Sequence, residues 1–241
     1  MLDAKRALRE EVWDALAEGG AARFPGAHHR IPNFIGAEAA AERLRGLDVW
    51  RAASAIKANP DSPQWPVRQR ALDDGMVVAM AVPRLAGPDP FFLLDPARLT
   101  VPPRAASSIK GASDHGRPVP VAELQAVDLV ISGCVAVDRT GARLGKGGGF
   151  ADLEFALADA AGLIGPRTLV VTTVHALQVV EAGRIPMTEH DVPLDLIVTP
   201  DDVITCDRGH PRPAGVHWDA LTEDKIAAIP LLASLAACRR T

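Results

Sequence analysis

Apolar residues recur at helical spacing from the first turn of the chain. Leu8, Val12, Ala15 and Leu16 form one stripe within residues Leu2–Glu18, and Gly19-Gly20 ends it. A second helix is predicted over residues 36–46 and a strand over 50–57, stopped by Asn59-Pro60. A helix over 65–74, closed by Gly75, and a strand over 76–82, closed by Pro83, come next. Strand, helix and strand with short links predict a right-handed βαβ unit in a parallel sheet.

Residues 84–116 leave that rhythm. They are rich in proline, with one apolar run at Phe91–Leu94 and a stretch at 101–108 that favours extended structure. We read them as an elaboration of the sheet edge that covers a cleft. The rhythm then resumes: a buried strand over 128–137, a helix over 150–161, a strand over 168–174, a short helix over 175–181 and a polar loop over 185–191. A buried strand over 194–199 and a short extended piece at Val203–Thr205 complete the pattern. The expected organisation is one α/β domain over 1–206 and a helical tail over 207–241, with short helices at 218–228 and 230–238.

Between the strand at 128–137 and the helix at 150–161, four of the five positions 145–149 are glycine, interrupted by Lys146. Glycine lets several backbone N–H groups converge on one ligand, and a helix N-terminus adds partial positive charge. Arg143 and Lys146 add whole charges, so a phosphate suits the place. The loop is neither a P-loop, which needs Lys-Ser or Lys-Thr, nor a dinucleotide fingerprint, because Phe150 stands where the third glycine belongs. The lesser alternative is a flexible glycine-rich hairpin or loop. Asp152, in the first helical turn, is either a cap on the dipole or a holder of a cation beside phosphates.

Composition narrows the partners. The 241 residues are 48% hydrophobic and 23% charged with a net charge of −4, which argues against non-specific nucleic-acid binding. No run of eighteen apolar residues is present, and the charged N-terminal segment is unlike a signal peptide. Three scattered cysteines read as reduced thiols, so the expected location is the cytoplasm and the expected partner a small molecule. The expected state is a monomer or homodimer. No Gly-x-Ser-x-Gly elbow supports a serine hydrolase. His190-Asp191 is either a general-base pair or a turn with a capping aspartate.

Lys5, Leu8 and Arg9, the loop from Arg143 to Gly149 with Asp152, and the segment from Gln178 through Pro186 to His190-Asp191 resemble the 5-formyltetrahydrofolate cyclo-ligase family. Asn59-Pro60-Asp61-Ser62-Pro63 and Pro83-Arg84-Leu85 resemble its longer branch, which includes cyclo-ligase-like domain-containing proteins. The resemblance implies a three-layer α/β/α fold with a mainly parallel central sheet, of the CoA-transferase-like kind. It implies ATP and Mg2+ acting on a reduced folate. Lys5 and Arg9 would reach phosphates from the first helix, with Arg9 also near the formyl group. Arg143, Gly145, Lys146, Gly147, Gly148, Gly149 and Phe150 would cradle the triphosphate, Asp152 and Asp191 would hold Mg2+, and Asp61 would bind substrate. Arg9 and Lys146 are the implied catalytic residues.

The family commonly carries Tyr-Tyr-Asp-Arg after the glycines, where this chain has Phe150-Ala151-Asp152-Leu153, and a glutamate where Asp61 stands. The expected activity is an ATP- and Mg2+-dependent closure of 5-formyltetrahydrofolate to 5,10-methenyltetrahydrofolate. The alternatives are a divergent paralogue that binds nucleotide or folate without turnover, and a ligase for a thiamin-like or other heterocycle.

Overall fold

Residues 1–207 and 209–239 are described by a computed structural model. Its strands are β1 Ala55–Ala58, β2 Val77–Ala81, β3 Phe91–Leu94, β4 Arg117–Val119, β5 Leu129–Ile131, β6 Ala136–Asp138, β7 Arg143–Leu144, β8 Leu169–Thr173, β9 Val179–Val180, β10 Leu196–Val198 and β11 Val203–Thr205. Its helices are α1 Leu2–Glu18, α2 Ala37–Arg45, α3 Asp48–Arg51, α4 Trp65–Asp73, α5 Pro103–Ala106, α6 Ile109–His115, α7 Phe150–Ala160, α8 Glu223–Ala228 and α9 Pro230–Arg239.

The main sheet runs in the order β11-β10-β8-β5-β1-β2-β3-β4. Its five central strands, β10 to β2, pair in parallel, and β11, β3 and β4 add antiparallel edges. Strand alternation divides the core in two. Ile56, Leu129 and Ile131 face α2, α4, α5 and α6, while Ala55 and Val130 face α7 and the second sheet, β7-β6-β9. The architecture is the expected three-layer α/β/α fold. Helix α1 lays Leu8, Val12, Trp13 and Leu16 on the second sheet through Ala136, Ala142 and Leu144.

From β1 the chain proceeds to β2 on one side and later to β5 and β8 on the other. Open parallel sheets bind ligands outside the carboxyl ends of the strands at such a reversal. Here those ends are joined: Asn59 N–H donates to Ile131 O at 3.0 Å, and Asn59 Oδ1 accepts from Gly133 N–H at 3.0 Å. Beneath them Arg68, 1% exposed, donates to the carbonyls of Asn59 at 2.6 Å, Pro60 at 3.3 Å, Asp61 at 3.1 Å and Ser107 at 2.9 Å. Burial lowers the pKa of this guanidinium to about 10, and Asp61 works against that shift. It therefore remains charged at neutral pH.

Four sequence expectations are corrected. The single strand over 128–137 is two, β5 and β6, in different sheets. The break falls at Gly133, where a Cβ would lie 3.0 Å from Asp61 Oδ2 and 3.1 Å from Gln64 Oε1. The strand over 50–57 begins only at Ala55, because Trp50 belongs to α3 and donates Nε1–H to Asp74 at 2.9 Å. Residues 101–108 are not extended: Pro103 opens α5, in the first turn where a missing N–H costs nothing. The helix over 175–181 is one 3-10 turn, Ala176–Gln178, followed by β9. Its Gln178 side chain accepts from His175 N–H and donates to the carbonyls of Cys134 and Val135, tying the segment to the second sheet. The predicted edge elaboration is present as β3 and β4.

Replacing Arg68 by Met leaves those four carbonyls without their donor. We expect a loss of about 3–5 kcal/mol in urea unfolding at neutral pH. A loss below about 1 kcal/mol would contradict the pinning role of this side chain.

Candidate active site

Strand β7 delivers the chain into residues 145–149, and α7 starts immediately after them. Gly147 has φ +109° and Gly149 has φ +65°, a left-handed cap on α7 that a side chain would strain. The loop carbonyls are held from two sides. Arg9 of α1 donates Nε–H to Gly145 O at 2.7 Å, and Lys225 of α8 donates to Gly148 O at 2.9 Å. Across the opening, Lys146 Nζ lies 3.3 Å from Asp61 Oδ1.

Two cavities meet at this loop. The first, of about 270 Å3, is lined by Lys5, Arg9, Arg143, Asp152, Asp191 and Lys225 together with the glycines. The second, of about 470 Å3, is lined by Asn59, Asp61, Arg84, Lys146, Phe150 and Glu154. Both share Arg143, Gly145, Gly148, Gly149 and Asp152, so the glycine loop is their common wall. Four cations against two carboxylates leave the first cavity with two excess positive charges.

The carboxylates of the first cavity are paired. Asp152 forms an ion pair with buried Arg143 and accepts from Val192 N–H at 2.9 Å. Arg143 also donates to Val192 O at 2.7 Å; burial opposes its charge, but Asp152 and its other neighbours outweigh burial and raise its pKa. Asp191 accepts from Lys5 Nζ at 2.7 Å and from Thr188 N–H and Oγ1–H, each at 2.8 Å. Burial works against ionisation of Asp191, yet these donors hold its pKa below the usual value. Burial also lowers the pKa of Arg9, against the field of Asp191. His190 does not share a hydrogen bond with Asp191 but meets Thr188 Oγ1 at 3.1 Å.

Thus Lys5, Arg9, Arg143, Gly145, Gly147, Gly148, Gly149, Asp152 and Asp191 converge on the first cavity, and Asp61, Lys146 and Phe150 on the second. Asp152 and Asp191 line one cavity without a third ligand: among the described residues no group of three or more His, Cys, Asp or Glu is placed to hold a metal.

Several residues of the two cavities escaped sequence reasoning, among them Lys225 and His217 of the first and a trio at the second. Lys57 of β1 and Glu154 of α7, 2% and 3% exposed, form an ion pair, and Asn59 Nδ2–H donates to the same Glu154 oxygen at 2.6 Å. Glu154 lines the second cavity. Burial raises its pKa despite Lys57. The signal was available: a lysine inside an apolar strand and a glutamate between Leu153 and Phe155 are both out of pattern.

Fold and site together define an α/β protein with a cation-flanked glycine loop beside the carboxyl ends of a parallel sheet. Residues 2–200 match the model of the 5-formyltetrahydrofolate cyclo-ligase family, and the chain belongs to that family. It is 38% identical over 239 residues to the methenyltetrahydrofolate synthase domain-containing protein of Bos taurus, covering 96% of this chain and 61% of the relative. The Homo sapiens protein of that name is 35% identical over 241 residues, covering 97% and 61%. The chain therefore spans about three-fifths of the length of these relatives. These are the domain-containing proteins to which the Asn59-Pro60-Asp61 and Pro83-Arg84 segments pointed. A mitochondrial 5-formyltetrahydrofolate cyclo-ligase of Arabidopsis thaliana is 41% identical over 80 residues, 32% of this chain and 29% of that one. The solved 5,10-methenyltetrahydrofolate synthetase of Aquifex aeolicus shares the fold, with a TM-score of 0.54 at 22% identity over 92% of this chain and 100% of that one. Among the described residues no helix is long and apolar enough to cross a membrane.

Because the folded-state pKa of Asp191 is depressed, its stabilisation is present above the unfolded value of 3.8 and is lost as pH falls through the folded value. Asp191→Asn should cost about 2 kcal/mol at pH 7, and the gap to wild type should close toward pH 3. Denaturant unfolding at the two pH values measures this; an equal gap at both would contradict the pairing.

Proposed function

We propose that the protein is an ATP-dependent ligase that closes 5-formyltetrahydrofolate, or a closely related heterocycle, to the 5,10-methenyl product. The observation that carries this reading is the shared wall. A cation-lined cavity and a carboxylate-bearing one meet across one glycine loop, so an anionic nucleotide on one side abuts a heterocycle on the other. Family membership supports the reaction class, and the charges lining each cavity support the role proposed for it.

The residues fit the reactants. Excess positive charge in the first cavity complements the net negative charge of magnesium-bound ATP. Asp152 and Asp191 are the acids that would hold Mg2+, which needs only one or two carboxylates beside phosphate oxygens. When bound, ATP with Mg2+ supplies the phosphoryl group that turns the formyl oxygen into a leaving group. The chain's own part is positioning and charge neutralisation. Lys5, Arg9 and Arg143 neutralise phosphate oxygens, the N–H groups of Gly147 to Phe150 orient them, and Lys146 stands between phosphate and substrate. Asp61 and Glu154 orient the heterocycle from the floor of the second cavity.

One observation favours a second reading, binding without turnover. Leu153, where the family carries an arginine, is 5% exposed within an apolar cluster and contributes no charge.

Protein incubated with ATP, Mg2+ and 5-formyltetrahydrofolate should develop the absorbance of the methenyl product. Lys146→Ala should slow this at least about tenfold. ATP binding without product for any folate tested would favour the second reading, and wild-type turnover by Lys146→Ala would remove the role given to that lysine.

A further inference from the structure

The wall of the first cavity is incomplete without residues that the family model does not reach. That model ends at residue 200, yet Gly215, Val216, His217, Leu221 and Lys225 line the cavity. The Bos taurus relative matches 96% of the chain, so its similarity runs into this segment. The segment is built onto α7. Leu153 and Leu157 cluster with Ile229 and Leu232, and Gly215 N–H donates to Asp159 Oδ2 at 2.9 Å. Leu153, where the resemblance implies an arginine, is thus the residue against which α8 and α9 pack.

A cation stands at the start of the same helix. Lys225 Nζ binds Gly148 O at 2.9 Å, sits 5.5 Å from the centre of the Phe150 ring, and lies 3.1 Å from where a Cβ on Gly149 would be. Lys5 and Arg143 are each neutralised by a carboxylate, whereas Lys225 meets a carbonyl and the Phe150 ring and has no carboxylate partner among the described residues. An ammonium has three donors, so two stay free for an anion at the start of α7. A separate observation points to the same cavity: His217 Nε2 is buried and has no hydrogen-bond partner among the described residues. A buried unpaired ring nitrogen costs free energy that a bound ligand would recover.

We propose that residues 209–239 complete the nucleotide site, with Lys225 contacting the phosphates in place of the missing arginine and His217 Nε2 hydrogen-bonding the same ligand. This rests on the nucleotide reading above.

The test is calorimetric titration of the full chain with Mg2+-ATP and with adenosine. Lys225→Met, which keeps the aliphatic stem, should weaken Mg2+-ATP binding about tenfold and leave adenosine binding unchanged. Lys225→Arg should restore affinity, and His217→Ala should weaken Mg2+-ATP binding as well. Wild-type affinity in both Lys225→Met and His217→Ala would overturn the proposal while leaving the nucleotide reading intact. Equal weakening toward ATP and adenosine by Lys225→Met would overturn the phosphate contact in favour of a packing role. If the wild type binds no Mg2+-ATP, the nucleotide reading fails and the proposal with it.

Discussion

Most of this structure follows from the need to hold a glycine-rich loop still. Glycines at 147 and 149 permit left-handed backbone that other residues resist, but that freedom raises the entropy lost on ordering. The compensation comes from side chains far apart in sequence: Arg9 on the carbonyl of Gly145, Lys225 on that of Gly148, and the Lys146–Asp61 pair across the opening. Two of the loop carbonyls are thus engaged by side chains, which leaves the N–H groups that begin α7 available to the anion proposed for them. The loop can then act as a common wall because its two faces open on different cavities.

The second cavity carries a costlier device. Burying Lys57 against Glu154 removes two charges from water, and attraction between them repays that only with good geometry and further hydrogen bonds. Asn59 supplies one, while its Oδ1 takes the N–H of Gly133 and Arg68 pins its carbonyl. The carboxyl ends of β1 and β5 are thereby fixed to each other and to α7, at the reversal where a parallel sheet offers a ligand cleft. The start of α7 is apolar on one side, where Leu153 packs with Ile229 and Leu232, and cationic on the other, where Lys225 meets Gly148 O.

The sequence made the parallel core legible because each of its strands is short, apolar and followed by a glycine, proline or polar break. Helices α1, α2, α4 and α7 were legible from caps and stripes. Local pattern failed where tertiary demands overrode it. The apolar run through Gly133 carries no sign that its halves belong to different sheets, and Pro103 reads as a breaker although it opens a helix. At the site, glycines and cations were readable because few other arrangements use them together. Lys57 and Glu154 lie 97 residues apart and Lys225 lies 77 from its loop carbonyl, so no window of sequence joins them.

The central claim is that the main-chain amides of the glycine loop receive a nucleotide's phosphates. Amide resonances of the uniformly 15N-labelled chain, followed while a non-hydrolysable ATP analogue with Mg2+ is added, test it most directly. The account requires the largest shifts at Gly147, Gly148, Gly149 and Phe150, and smaller ones along the second sheet. Saturable binding that leaves those four amides unmoved would contradict it.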